Sequence, residues 1–100
     1  MASVTWTDSA LQDLREICTF IGRGSPRVAA IFANRAFVRT DGLGKFPHSG
    51  RIVPQFESED IRELLLGNYQ IIYHVLLNEV EVVAVIHGAR QVGVEILERQ

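Results

Sequence analysis

The chain has 100 residues, 47% of them hydrophobic and 22% charged, with a net charge of −2. That length and balance fit one globular domain, 1–100, with a modest core, and exclude a disordered chain. A pI near 5.9 argues against a broadly cationic nucleic-acid binder.

In chain order, Val4 and Trp6 alternate with polar neighbours, so 3–6 reads as a first strand. Thr7, Asp8 and Ser9 offer helix N-caps. Apolar residues then recur at Ala10, Leu11, Leu14, Ile17, Cys18 and Ile21, the spacing of one helical face. Gly22-Arg23-Gly24 reads as the stop. Ser25-Pro26 opens a second helix, because proline at a first helical position gives up no needed hydrogen bond. Its apolar set, including Val28, Ile31, Phe32, Ala36 and Phe37, carries it to Phe37 or Val38. The two helices form an αα-hairpin.

From Arg39 to Gly50 the pattern dissolves into breaker dipeptides, with Leu43 and Phe46 expected to pin the loop to the core. Residues 51–56 read as a short strand, which Pro54 confines to an edge. Branched and aromatic residues dominate 60–90, broken at Gly67-Asn68 and Asn78-Glu79, where tight turns are expected. Three antiparallel strands follow: 60–66, 69–77 and 80–87. Tyr69, Ile71, Tyr73, Val75 and Leu77 share one sheet face, and Gln70, Ile72, His74 and Leu76 the other. The tail is ambiguous: Val92, Val94 and Ile96 alternate like a strand or extended arm, the favoured reading, while Leu97 and the polar end also suit a frayed helix.

The fold expected is therefore α+β, an N-terminal strand and helical hairpin packed on a twisted antiparallel sheet. Its core holds Leu11, Leu14, Ile17, Ile31, Phe32, Ile71, Tyr73 and Val82. Leu65, Ile72, Leu76, Val83 and Val85 fall in strand phases opposite that core. One domain of this size does not easily enclose both faces of its sheet. Those five residues are thus candidate partner-binding positions, unless the tail covers some of them. No metal or cofactor is expected, since no Cys/His cluster has ligand spacing. No signal peptide or membrane-length apolar run is visible, and the single Cys18 suits a reducing compartment, so the expected location is the cytoplasm.

The order of these signals carries a resemblance. Trp6 precedes a helix with Ala10, Asp13-Leu14 and Ile17, and Ser25-Pro26 opens the next. A Leu43…Phe46-Pro47 loop leads to Gly50-Arg51. Ile61-Arg62-Glu63-Leu64, Tyr69-Gln70-Ile71-Ile72-Tyr73 and Val85-Ile86-His87-Gly88-Ala89-Arg90 complete the set. Over about residues 4–90 this resembles the RelE/ParE superfamily of toxins from bacterial type II toxin–antitoxin systems, and it looks closest to the ParE branch.

The resemblance implies a growth-inhibiting protein, of the kind that stabilises plasmids, neutralised by a cognate antitoxin. ParE-type members inhibit DNA gyrase, and RelE-type members cleave messenger RNA on the ribosome. Cleavage beside a ribose hydroxyl needs a base, phosphate-neutralising cations and an acid for the leaving oxygen. In the ribonucleases an Arg follows the aromatic that Tyr69 matches, whereas this chain has Gln70. Where their catalytic Tyr should stand, it reads Gly93-Val94-Glu95-Ile96. Only Arg51, Arg62, His87 and Arg90 remain as candidates for that chemistry. The resemblance therefore favours a gyrase inhibitor. The alternatives are a ribosome-dependent endoribonuclease and a non-toxic relative that pairs with a partner.

Each candidate also has a structural reading. Arg90 is a phosphate or partner contact, or a surface arginine paired with Glu79 or Glu81. His87 is a general base, with an unperturbed pKa of about 6.5, or a turn-fixing side chain. Arg62 faces a substrate or pairs with Glu59 or Glu63, and Arg51 is a structural bridge or a functional cation. Lys45, His48 and Arg51 make a small basic loop cluster, solvated or touching RNA. The apolar surface expected on the free chain also predicts self-association or a hetero-oligomer with the antitoxin.

Overall fold

The computed structural model describes residues 1–88, 93 and 95–99, so the readings on Arg90, Val92 and Val94 lie outside the described residues. Strand β1 (Ser3–Trp6) leads into helix α1 (Asp8–Gly24). The Thr7 hydroxyl accepts from the Ala10 N–H at 3.0 Å, which satisfies one unpaired donor of the first turn. The helix ends within the expected Gly22-Arg23-Gly24 stop, but not by a left-handed glycine cap. α1 runs through Gly24, and Ser25 in extended backbone ends it by donating its N–H to the Ile21 carbonyl. The same residue opens α2 (Pro26–Asp41), its Oγ accepting from the Val28 N–H at 3.2 Å. One residue thus separates the two helices.

α2 extends three residues beyond Val38 and continues as a 3₁₀ turn at Gly42–Gly44. Its buried stripe is Ala29, Ala36 and Thr40. Ile31 lies about 200° around the helix from Ala29 and is 47% exposed, which corrects its place in the expected core. Small residues in the stripe bring α2 close to its neighbours, and they leave the larger Val28, Ile31 and Val38 in solvent.

The expected strand at 51–56 is only β2 (Arg51–Ile52), because Pro54 starts a 3₁₀ turn, Pro54–Phe56. Three long strands follow: β3 (Ile61–Leu66), β4 (Tyr69–Leu76) and β5 (Glu79–His87). Gly67 and Asn78, with φ of 59° and 60°, make the two tight turns. Leu77, expected in a strand, sits in the second turn.

The sheet order is β1-β5-β4-β3-β2. It is mixed rather than wholly antiparallel, since β1 lies parallel to β5 along Ser3–Trp6 and Glu79–Val82. A tight hairpin can only reverse the chain, but β1 reaches β5 through the helical layer and three strands, a connection long enough for parallel pairing.

A β-bulge decides what each face of β5 carries. The register between β4 and β5 runs Ile72↔Ala84, then Tyr73↔Val82, leaving Val83 as the extra residue. Val80, Val82 and Val85 therefore join the helical side, with Ala10, Leu14, Leu43, Ile71 and Tyr73. Val83, Ala84 and Ile86 join Val53, Ile61 and Ile72 on the opposite side. Strict alternation places Val83 and Val85 together, and the bulge separates them. Ile17 and Phe32 are half-buried and packed against the helical side, and Leu14, Ile71, Tyr73 and Val82 are fully within it. Leu11 is half-buried but outside that cluster, which corrects its place in the expected core.

The second side is covered by the chain's own end. The tail is not an extended arm at Ile96: Glu95–Glu98 form a short helix, α3, from which Ile96 and Leu97 pack on that cluster together with Phe56. Beyond it, Arg99 pairs with Asp13 of α1 and donates to the Val83 carbonyl at 3.3 Å. Asp13 also accepts from the Val85 N–H at 3.0 Å. The pair closes the part of the β5 edge that β1 is too short to reach.

Candidate functional site

Arg51 and Glu63 stand opposite one another where β2 meets β3. Arg51 Nη2 lies 3.1 Å from Glu63 Oε2, with the arginine side chain 65% exposed and the glutamate 5%. The Gln70 amide, on β4, donates to the other carboxylate oxygen. Both oxygens of a buried carboxylate are thereby satisfied, which is what makes its burial tolerable. The Gln70 carbonyl oxygen is buried without a hydrogen-bond partner. Gln70 thus stands as the neighbour of a buried acid.

Arg62, the next residue along β3, is directed to the other face as the cross-strand neighbour of Tyr73. It pairs with neither Glu59 nor Glu63 through their carboxylates, which corrects the expected ion pair. Instead its guanidinium donates to the backbone carbonyls of Glu59, His48 and Gly50 at 2.7, 3.0 and 3.0 Å. The Tyr73 hydroxyl reinforces the same loop, donating to the Pro47 carbonyl at 2.8 Å and accepting from the Gly50 N–H at 2.9 Å. Burial pushes the Tyr73 phenol above the usual tyrosine range, while the Gly50 bond and the Arg62 charge oppose the shift.

His87 ends β5 with its ring edge-on to Tyr69, centroids 5.4 Å apart. It lines a shallow cleft of about 240 Å³ with Asp13, Glu16, Phe20 and Tyr69. Among the described residues, the candidates for ribonuclease chemistry are not gathered into one site: Arg51 is on one face with Glu63, Arg62 is on the other under a loop, and His87 is at a strand end. Among the described residues, no group of His, Cys, Asp and Glu could hold a metal ion. Nor is any described helix long and apolar enough to cross a membrane. Cys18 is half-buried, its Sγ 3.7 Å from the Ala29 carbonyl, and burial raises its pKa.

The family model for "ParE toxin of type II toxin-antitoxin system, parDE" matches residues 4–92. The chain belongs to the ParE toxin family. Toxin RelE2 of Caulobacter vibrioides is 37% identical over 91 residues, spanning 90% of this chain and 99% of that protein. A solved structure, the chromosomal ParDE TA system from P. aeruginosa, superposes with a TM-score of 0.71 at 21% identity. It covers 87% of this chain and 96% of its own, and supports the α+β fold.

Membership in this ParE family implies an antitoxin partner. Of the positions read as partner-binding, Leu65 and Leu76 are exposed, while Ile72, Val83 and Val85 are buried within the chain. For Ile72 and Val83 the reason is the cover that α3 and Phe56 supply, and for Val85 it is the bulge. The sequence reading also missed exposed residues of this ParE-family chain. Phe20, Val28, Val38 and Phe46 stand in solvent on helices and a loop, where no strand phase points them out. Leu43 pins its loop as expected, but Phe46 does not.

Proposed function

We propose that this chain is a growth-inhibiting toxin that acts by binding DNA gyrase and is neutralised by a cognate antitoxin. The observation that carries the reading is the engagement of its sheet cations. Arg62 is committed to three backbone carbonyls and Arg51 to a buried carboxylate. Cleavage of a messenger needs cations free to meet a phosphate as negative charge develops. Guanidinium groups that already satisfy the fold are poorly placed for that and well placed to hold a rigid binding surface. The family match supports the toxin and antitoxin part of the reading.

The test pairs two assays on the purified chain. Inhibition of gyrase supercoiling of relaxed plasmid, without cleavage of messenger on programmed ribosomes, is the expected result. Ribosome-dependent cleavage abolished by Arg51→Ala or Arg90→Ala, with gyrase unaffected, would replace it with the endoribonuclease reading.

A further inference from the structure

Residues 42–56 contain no Asp or Glu, yet hold Lys45, His48 and Arg51, in a chain whose net charge is −2. The middle of that segment is fastened from beneath by two independent devices. One is the Arg62 guanidinium on the carbonyls of His48 and Gly50. The other is the Tyr73 hydroxyl between Pro47 and Gly50. The backbone comes so close that a Cβ at Gly50 would lie 2.6 Å from both the Glu63 carbonyl oxygen and the Tyr73 hydroxyl. A loop that only connects two elements needs no such anchoring.

What the anchoring holds in place is Phe46, 61% exposed, with Lys45 Nζ 5.7 Å from its ring centroid. A phenyl ring left in water forgoes the stabilisation of burial. Rigid display of that ring lowers the ordering entropy lost when it enters a partner, and aromatic side chains anchor interfaces far more often than their abundance predicts. We infer that loop 45–49 is the surface by which this chain grips its target, Phe46 entering an apolar pocket of a protein and Lys45 meeting an acidic rim.

This inference rests on the binding-type reading above and names its contact surface. A protein is favoured over single-stranded nucleic acid, which is held by successive aromatic platforms along a cationic groove. Here loop 45–49 offers one ring, its His48 is bonded to Asp60 at 3.1 Å, and the nearby Arg51 of β2 is paired with Glu63. A target pocket is favoured over the antitoxin, because a neutralising segment laid across the chain is recognised by anchors repeated along its length, whereas this loop presents one fixed ring suited to a single pocket.

The experiment compares wild type, Phe46→Ala and Lys45→Glu, all as full-length chains. Readouts are inhibition of purified gyrase on relaxed plasmid and binding of the protein encoded in the adjoining reading frame. Phe46→Ala is expected to raise the half-inhibitory concentration by about tenfold or more, with unchanged melting temperature and unchanged binding of the adjoining gene product. Lys45→Glu should weaken inhibition in the same direction, and it carries the test alone if Phe46→Ala melts early. A wild type without effect on gyrase overturns the binding reading and this inference together. A wild type that inhibits, beside variants that inhibit equally, overturns this inference alone. Loss of binding to the adjoining gene product with inhibition intact reassigns the loop to the antitoxin. Retention of a poly(U) oligonucleotide by wild type but not by Phe46→Ala reassigns it to nucleic acid. Either result overturns the assignment.

Discussion

Removing one oxygen, in Tyr73→Phe, tests how the loop before β2 is held. The ring stays in its buried place among Ile71, Val82 and Leu14, so the packing term is nearly unchanged. Two hydrogen bonds are lost, one from the Gly50 N–H and one to the Pro47 carbonyl. Gly50 is buried, so its N–H is left without a partner, at a cost of about 1–3 kcal/mol. Pro47 is only half-buried, and its carbonyl can turn to water at the low end of hydrogen-bond values, about 0.5 kcal/mol. The sum is about 2 kcal/mol, which for a domain of this size lowers the melting temperature by roughly 8–16 °C. Urea melts followed by far-ultraviolet circular dichroism and by Trp6 fluorescence measure it. A loss under about 0.5 kcal/mol would refute the reasoning, because the loop would then be held without the hydroxyl. The pH profile gives a second check. The folded phenol titrates above its ordinary value of 10.0, so between the two values the unfolded chain has lost a proton that the folded chain keeps. The contribution of Tyr73 to stability should therefore be constant below about pH 10 and fall as pH rises beyond it, and Tyr73→Phe should lack that component of any alkaline loss.

Other perturbations follow from the same contacts. Leu14→Ala opens a cavity beneath α1 and should destabilise by about 2–5 kcal/mol in denaturant melts. Gly50→Ala forces its Cβ against backbone and should destabilise by more than about 1 kcal/mol, whereas Gly42→Ala meets nothing within 4 Å and should be neutral or mildly stabilising by thermal melt. Asp13→Ala strands the Val85 N–H and frees Arg99, and should lower stability by about 1–3 kcal/mol. Hydrogen exchange would show that loss as faster exchange at Val85.

Much of the architecture was legible because local chemistry agreed with the global fold. Ser25-Pro26 can hardly be anything but a helix entry, and Gly67-Asn68 stands at a turn that needs positive φ. The errors came where residue type is silent about geometry. Val82, Val83, Ala84, Val85 and Ile86 are all apolar, so no alternation reveals a bulge among them. The parallel pairing of β1 depends on its long connection to β5 and not on its four residues. Arg62 was read for acidic partners, but carbonyl acceptors carry no sequence signature. Phe46 looked like a core pin because an aromatic in a breaker-rich loop usually is one, and only the fold shows it standing outside.

The bulge at Val83 bears on how relatives of this chain can be recombined. Upstream of it, even-numbered residues of β5 face the helices, and downstream the odd-numbered ones do. A hybrid joined inside this strand by matching hydrophobic alternation alone, with a parent that lacks the extra residue, would invert one half. Val85 would turn toward α3, and Ala84 and Ile86 would be driven in among Leu14 and Ile71. Crossovers at the turns beside Gly67 or Asn78 keep the whole strand with its own parity. Hybrids cut there should express as folded protein, while those cut between Val82 and Val85 should not.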